Sequence, residues 1–191
     1  MSKVHARLGE TSEHYTPGEY VEAARACMGG IDLDPASCAV ANATVKATKF
    51  FAIEDDGLAR SWGVPSWAME APHPLAPRVF LNSPYSGYRG QATDWGRKLL
   101  KEYQAGAIKA AVVLVNATML YHSPFQSLMS LGAVCITDHR IRFISGVTGL
   151  PQAQPPQPNA FIYVGGDIGA FRKAFSEFGT VLRGAEYTIG F

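Results

Sequence analysis

Val79-Phe80-Leu81, followed at once by Asn82-Ser83-Pro84-Tyr85, is the stretch that most constrains the fold of this chain. Three consecutive apolar residues predict a strand buried on both faces, as in the centre of a parallel sheet. An amide, a small residue, a proline and an aromatic ring follow where that strand stops. In open α/β sheets ligands bind just beyond the carboxyl ends of the strands, so we expect these four residues to face a cleft.

The four residues after the strand carry groups that suit a planar ring with an exocyclic amine. The side-chain oxygen of Asn82 and the backbone carbonyl of Ser83 can each accept one N–H of such an amine. Pro84 lacks an N–H and restricts the residue before it, which keeps that carbonyl aimed. Tyr85 offers a flat face, and stacking of a base on an aromatic ring contributes about 1–3 kcal/mol. These four are the predicted catalytic residues.

Apolar runs and helical patterns alternate along the chain, which predicts one α/β domain over residues 14–191 after a flexible N-terminus at 1–13. The predicted strands are 31–33, 48–51, 79–81, 110–115, 133–137 and 160–164, with 141–143 as a hairpin partner. The predicted helices are 17–27, 38–46, 92–104, 123–131 and 171–178. This order implies a mostly parallel sheet flanked by helices, which is a Rossmann-like arrangement.

Polar residues near the first strand and the first helix suit a nucleoside cofactor. A carboxylate at a strand end can accept ribose hydroxyls, and alternation places Asp32 and Asp34 on the same face at the end of the first strand. Thr16 is expected to cap the first helix, with Pro17 at the first helical position. The free N–H groups at such a helix start favour an anion.

Asn82-Ser83-Pro84-Tyr85 resembles the Asn/Asp-Pro-Pro-Tyr signature of amino-group methyltransferases that use S-adenosylmethionine. Other segments are similar to one branch of that family, the phage-type DNA N6-adenine methyltransferases. They are His14-Tyr15-Thr16-Pro17, Ile31-Asp32-Leu33-Asp34-Pro35-Ala36-Ser37, and Phe50-Phe51 followed by Asp55-Asp56-Gly57-Leu58. The similarity runs from about Tyr15 to the end of the chain, and its motifs after Tyr85 are diffuse.

The resemblance implies a Rossmann-like methyltransferase sheet that transfers a methyl group from S-adenosylmethionine to the N6 amine of adenine in double-stranded DNA. The target base would be flipped out, with Tyr85 replacing its stacking partners. Asp34-Pro35-Ala36 resembles the family's cofactor motif, and Tyr15-Thr16-Pro17 its motif at the carboxylate end of the cofactor. Asp55 or Asp56 would hold the ribose or the adenine amine. The implied cofactor-binding residues are Tyr15, Thr16, Pro17, Asp32, Asp34, Pro35, Asp55 and Asp56.

Two departures from the family pattern leave alternatives open. Pro35-Ala36-Ser37-Cys38 stands in place of the usual glycine-rich loop, a departure that the phage-type branch shares. Ser83 stands where the family usually has proline, which keeps the backbone carbonyl but loses one fixed φ. The chain could therefore be weakened or inactive as an enzyme. The alternatives are a methyltransferase of RNA or of a protein glutamine amide, and a non-catalytic DNA-binding protein of methyltransferase-like fold.

Composition restricts the class of protein. The net charge of +1 is a weak signature for nucleic-acid binding, so the basic residues would have to lie on one side. The three cysteines are scattered without a CxxC pair, which argues against a disulfide framework or a zinc site. We expect no metal and no membrane span, and a cytoplasmic location. The resemblance implies that the cell is a bacterial host and that the gene is carried by a phage or prophage. Oligomeric state stays open.

Recognition of DNA is expected from residues that follow Tyr85. The basic residues Arg140 and Arg142 precede a proline- and glutamine-rich loop, Pro151 to Pro158, which has no core-forming side chains. Arg contacts phosphates or guanine, and Gln reads adenine edges. Two tryptophans, Trp62 and Trp67, are interpreted as packing residues rather than as base-stacking residues.

Overall fold

The computed structural model of this protein describes residues 14–63, 76–84, 92–153 and 157–184. Several predicted features lie outside the described residues. These are the N-terminal residues 1–13, Trp67, Tyr85 and the middle of the proline- and glutamine-rich loop at 154–156.

Seven of the described strands form one mixed sheet. They are β2 (Leu33–Asp34), β3 (Lys49–Phe50), β4 (Arg78–Leu81), β5 (Ala110–Asn116), β6 (Ala133–Thr137), β8 (Asn159–Val164) and β9 (Gly179–Arg183), in the order β3-β2-β4-β5-β8-β6-β9. The strands from β3 to β5 are parallel, whereas β8 is antiparallel to both β5 and β6, and β9 is antiparallel to β6. Five of the seven strands thus share one direction, which confirms an α/β domain with a mostly parallel sheet.

Five α-helices cover the sheet in the described part of the chain. They are α1 (Gly18–Met28), α2 (Ala39–Val45), α3 (Ala92–Gln104), α4 (Ser123–Leu131) and α5 (Ile168–Phe175). Short 3₁₀ turns lie at Ile53–Asp55 and Ala117–Tyr121. The predicted helices 92–104 and 123–131 are confirmed at both ends. None of the described helices is long and apolar enough to cross a membrane.

The core lies on both faces of the sheet, and β5 shows why. Its residues Val112 and Leu114 are buried with α1 and α5, while Val113 and Val115 are buried on the other face with α3 and α4. Because both faces are covered, the strand has no polar alternation and reads as one apolar run. This is the physical basis on which the central strands were predictable.

A second, two-stranded sheet joins the start of the described chain to a distant segment. β1 (His14–Tyr15) pairs antiparallel with β7 (Ile144–Ser145). The prediction of a hairpin strand at 141–143 is therefore wrong. Ile141 and Phe143 are buried in the core beside α1, so their alternation reflects packing and the pairing residues come just after them.

Two other elements differ from the prediction. α5 begins at Ile168 rather than at 171, because the Asp167 carboxylate accepts the Ala170 N–H at 2.8 Å and caps the helix three residues earlier. Strand β9 was not predicted. Its side chains are mostly exposed at the edge of the sheet, which leaves only a weak apolar pattern in the sequence.

Candidate functional site

A topological switch point fixes the place of the site in the sheet. The chain passes from β2 to β3 on one side of β2 and then to β4 on its other side. In open α/β sheets the crevice beyond the carboxyl ends of the strands at such a point binds ligands. A cavity of about 600 Å³ lies there, lined by segments that follow β2, β3 and β4 and by Trp95 of α3. This is within the usual size of small-molecule sites, roughly 300–1,000 Å³.

The lining of the cavity is mostly apolar. It comprises residues 35–37, 51–53 and 56–59 together with Pro84 and Trp95. Among the described lining residues Asp56 carries the charge, at the turn after the 3₁₀ helix. Such an apolar concavity with a few polar groups suits a flat ring better than a polyanion.

Asp34 is a buried carboxyl group directly before the lining residues. It is only 4% exposed, and burial raises its pKa from 3.8 to about 7. The Ser37 hydroxyl and the Ala36 N–H, which lies 3.3 Å from Oδ1, act in the opposite direction. Among the described residues no cationic side chain pairs with Asp34. A carboxyl group buried in this way is costly to the folded protein, which is typical of a site residue.

Ser37 contributes a second buried polar group. Its Oγ forms no hydrogen bond of regular geometry with a described residue, although it lies close enough to Asp34 to lower that group's pKa. The Ser37 backbone N–H donates to the Phe51 carbonyl at 2.9 Å, so the loops after β2 and β3 are joined. A buried oxygen with spare hydrogen-bonding capacity next to a cavity is suited to a polar ligand.

A close backbone approach fixes the floor of the cavity. A Cβ on Gly57 would collide with the Pro35 carbonyl oxygen, so a glycine is required where these two loops meet. Trp62 is fully buried, donates from Nε1 to the Gly57 carbonyl at 2.8 Å and stacks on Trp95. The prediction that Trp62 is a packing residue is confirmed.

Asn82 is held by the segment that precedes α1. Its Nδ2 lies 3.1 Å from Thr16 Oγ1 and 3.4 Å from the His14 carbonyl oxygen. Since a backbone carbonyl can only accept, the side of the amide that faces His14 must be the NH₂ group. The Oδ1 of Asn82 accepts no hydrogen bond from the described residues. The amide is thus held through its NH₂ group, and its oxygen remains able to accept a hydrogen bond from a ligand.

Thr16 has a different role from the predicted helix cap. Pro17 occupies the N-cap position of α1 and the helix has no side-chain cap, so the prediction of Thr16 as N-cap is wrong. Thr16 is 6% exposed and its hydroxyl accepts from Asn82 instead. The side chain is used to orient the amide, because Thr16 lies one residue too early to reach the N–H groups of the first turn.

Tyr15 links the same segment to the loop after β2. Its hydroxyl lies 3.8 Å from Cys38 Sγ, and its backbone pairs with Ile144 in β7. Residues 14–17 therefore run between the Asn82 side chain and the loop that lines the cavity. The structure brings together the three sequence segments that end near Thr16, Asp34 and Asn82.

Two of the remaining predicted catalytic residues, Ser83 and Pro84, lie just after the end of β4. Ser83 is 4% exposed, and Pro84 lines the cavity. Tyr85 lies outside the described residues. Asn82 and Ser83, the two residues predicted to accept the N–H groups of an amine, are called the amine clamp below, and they directly precede the lining residue Pro84.

Asp32 lies at the other end of the strand from Asp34. It precedes Leu33, the first residue of β2, so the expectation that both acids lie at the carboxyl end is wrong for Asp32. Arg78 donates to both Asp32 oxygens at 2.7 and 2.8 Å, and its backbone N–H donates to Oδ2 at 2.8 Å. The role of Asp32 in cofactor binding stays a prediction, and its contacts with Arg78 do not favour it.

The local geometry gives Asp55 and Asp56 different roles. Asp55 Oδ2 accepts the Ala52 N–H at 2.9 Å and so stabilises the 3₁₀ turn. Asp56 has a left-handed backbone, with φ of 52°, and lines the cavity. Of the two acids, Asp56 is the one placed to reach a ligand.

A hydrogen-bonded chain that sequence reasoning missed joins α1 to the end of β6. The Tyr20 hydroxyl lies 2.7 Å from His139 Nε2, and His139 Nδ1 lies 2.6 Å from Asp138 Oδ1. Burial, helped by Glu19, raises the pKa of Tyr20 to about 12. The partners are 119 residues apart in sequence and form no recognisable motif, so no local signal could have found them.

Comparisons with known proteins identify no family. No protein-family model matches the chain, and no curated protein is similar to it in sequence. Within the described ranges no group of three or more His, Cys, Asp or Glu side chains is arranged to hold a metal ion.

Proposed function

We propose that this protein is an S-adenosylmethionine-dependent methyltransferase that acts on the N6 amine of adenine in double-stranded DNA. The observation that carries the proposal is the anchored amide of Asn82. Its NH₂ group is turned to Thr16 and His14, which leaves an oriented acceptor two residues before Pro84, and Pro84 lines the cavity at the switch point of the sheet. An acceptor held in this way is suited to an amine rather than to a carbonyl or phosphate.

The cavity residues fit the cofactor. A volume of about 600 Å³ with apolar walls suits an adenosine group, and Asp56 could accept its hydroxyl or amine hydrogens. The buried Asp34 carboxyl and the Ser37 hydroxyl have capacity for a ligand that donates hydrogen bonds or carries positive charge. When bound there, S-adenosylmethionine would supply a methyl group that is already activated by its positive sulfur.

The chain's own residues then have to orient the amine. Asn82 Oδ1 and the Ser83 carbonyl would each accept one N–H of the adenine amine. These two bonds hold the nitrogen lone pair toward the methyl donor and stabilise the positive charge that develops on nitrogen. No strong base is needed, because the cationic nitrogen loses its proton readily. Ser83 retains the required carbonyl despite standing where the resembled family has proline.

The choice of DNA as substrate rests on basic and amide residues that are connected to His14. The β1–β7 pair connects His14 to the segment that carries Arg140 and Arg142, both of which are exposed. Gln152 of the following loop lies 3.2 Å from His14 Nδ1. Basic and amide side chains are therefore connected to His14, whose carbonyl holds the Asn82 amide, and they could contact a nucleic acid there.

Methyl transfer with radiolabelled S-adenosylmethionine to duplex DNA, RNA and protein tests the proposal. The expected result is label in DNA alone, recovered as N6-methyladenine after digestion. Calorimetric binding of the cofactor without transfer to any of the three would assign the chain to a non-catalytic methyltransferase-like fold. Label in RNA or on glutamine would support the corresponding alternative and overturn DNA as substrate.

A further inference from the structure

An ordered turn between β7 and Pro151 exposes two aliphatic side chains. Val147 is 58% exposed and Leu150 is 65% exposed, in the segment Ser145 to Leu150. Exposed apolar side chains that are grouped in one short segment and bordered by polar residues mark a candidate interaction site. This segment, residues 145–150, is called the 145–150 turn below.

The turn is held by its own hydrogen bonds. The Gly149 N–H donates to the Ser145 carbonyl at 2.8 Å, and the Ser145 N–H donates to the Leu150 carbonyl at 3.0 Å. Ser145 Oγ accepts the N–H groups of Val147 at 3.2 Å and of Thr148 at 3.3 Å. Gly149 supplies the left-handed backbone, with φ of 68°. The two aliphatic side chains are thus presented on a rigid support.

A short chain of contacts joins the turn to the amine clamp. Ser145 pairs with His14 in the small sheet, and the His14 carbonyl accepts from Asn82. Val147 is two residues from Ser145. The exposed tip therefore follows the strand β7, whose partner strand β1 contacts the Asn82 amide.

The charge around the turn favours a polyanion as its partner. Arg140 and Arg142 precede the turn and are exposed, and residues 140–166 contain no Asp or Glu, whereas His139 lies 2.6 Å from the carboxylate of Asp138. Arg142 Nε donates to the Gln152 carbonyl at 3.0 Å, which fixes the arginine beside the base of the turn. An apolar tip with basic flanks matches the surfaces that insert between base pairs while cations contact the phosphates.

We infer that the 145–150 turn is a wedge that inserts Val147 and Leu150 into duplex DNA next to the target adenine, which rests on the proposed function. The wedge would fill the space that the flipped adenine leaves and so favour its extrusion toward Asn82. Its contribution is needed only where the base starts stacked and paired.

The test compares paired and pre-weakened substrates. The methylated sequence is first mapped by sequencing the DNA of an expression host. Methylation rates of wild type and the double variant Val147→Ser/Leu150→Ser are then measured on a fully paired duplex and on one with an abasic site opposite the target adenine. We expect the variant to lose about tenfold or more on the paired duplex and less than about threefold on the abasic duplex, because the latter has little to unstack. The fluorescence of 2-aminopurine at the target position should rise with wild type and much less with the variant.

A matched control is available outside the two-stranded sheet. Leu131, the last residue of α4, and Leu182 of the edge strand β9 are 44% and 49% exposed. The variant Leu131→Ser/Leu182→Ser should methylate both duplexes like wild type. Calorimetric affinity for S-adenosylmethionine should be the same in all three proteins.

The outcomes separate this inference from the proposed function. Wild type that methylates no DNA would overturn both. Wild type that is active, with the double variant unaffected or slowed equally on both duplexes, would overturn the wedge alone. Loss of binding to phosphatidylglycerol vesicles, or of a dimer in sedimentation, at an unchanged methylation rate would assign the tip to a membrane or to a second copy and overturn the wedge as well.

Discussion

Nδ2 of Asn82 lies 3.1 Å from Oγ1 of Thr16, which ties the residue after β4 to the segment before α1. The two residues are 66 positions apart in the sequence. Their contact serves one structural requirement of the proposed amine clamp. An amide that must present its oxygen to a ligand has to have its nitrogen held elsewhere, and Thr16 and the His14 carbonyl do this.

Removing the Asn82 amide should affect transfer rather than cofactor binding. Asn82→Ala should reduce the rate of methyl transfer by about 10²-fold or more, the scale for losing one preorganised polar group. Affinity for S-adenosylmethionine should remain near that of wild type, as measured by calorimetry. A variant that turns over like wild type would place the amine site elsewhere.

Thr16 is predicted to act as a positioning residue for Asn82. Thr16→Val removes the hydroxyl at nearly constant volume and should lower kcat about tenfold, with the dissociation constant of the cofactor changed by less than about threefold. Thr16→Ser keeps the hydroxyl, so its kcat should remain near that of wild type. Loss of cofactor affinity at constant kcat would instead assign the hydroxyl to the cofactor.

Asp34 should make the ligand-free protein less stable as pH rises. Its pKa is about 7 in the fold against an ordinary 3.8, so between these values the unfolded chain releases a proton that the folded chain keeps. The free energy of unfolding therefore falls from about pH 4 to pH 7 by at most roughly 4 kcal/mol from this group, and the loss is complete above its folded pKa. Asp34→Asn should be more stable than wild type at pH 8 and similar at pH 4 in urea unfolding. Asp94→Asn, which changes a half-exposed surface carboxylate, should lack this crossover.

The same carboxyl should favour the cofactor once ionised. Asp34→Asn should weaken S-adenosylmethionine binding by about 1.5–3 kcal/mol, the range for hydrogen bonds to a charged group. In wild type the affinity should increase as pH rises through about 7, with proton release visible by calorimetry in buffers of different ionisation enthalpy. An unchanged affinity in a folded variant would make Asp34 a structural residue.

Asp32 is expected to contribute to the stability of the fold and not to cofactor affinity. Its ion pair with Arg78 is largely buried, with side-chain exposures of 8% for Asp32 and 25% for Arg78. Arg78→Ala should therefore lower the free energy of unfolding by about 2–4 kcal/mol by removing the guanidinium partner of the buried Asp32 carboxylate. Affinity for S-adenosylmethionine, measured under conditions where the variant is folded, should stay close to that of wild type. A selective loss of affinity would return Asp32 to the cofactor site.

The contrast between Asp32 and Asp34 shows how far the sequence could predict the site. Strands buried on both faces, such as β4 and β5, were predictable from continuous apolar runs, and the residues at their carboxyl ends followed from sheet geometry. The partners of polar groups were not predictable, because Arg78 and Thr16 reach Asp32 and Asn82 through tertiary contacts. The pairing of His14 with Ser145 is also non-local, since two-residue strands carry no periodic signal.

Arg140 provides the last prediction, and it concerns DNA binding. Arg140 is exposed in the segment that leads from β6 toward β7, the strand that pairs with His14 and Tyr15. Arg140→Ala should weaken DNA binding and reduce the salt slope of the affinity by about one, as expected for one lost phosphate contact. Shortening the loop between Pro151 and Pro158 should instead change sequence preference, because its glutamines can read adenine edges. Neither change should alter S-adenosylmethionine affinity. If both variants keep the DNA affinity and the methylation pattern of wild type, this segment has no role in recognition. DNA recognition would then have to be assigned to another part of the protein.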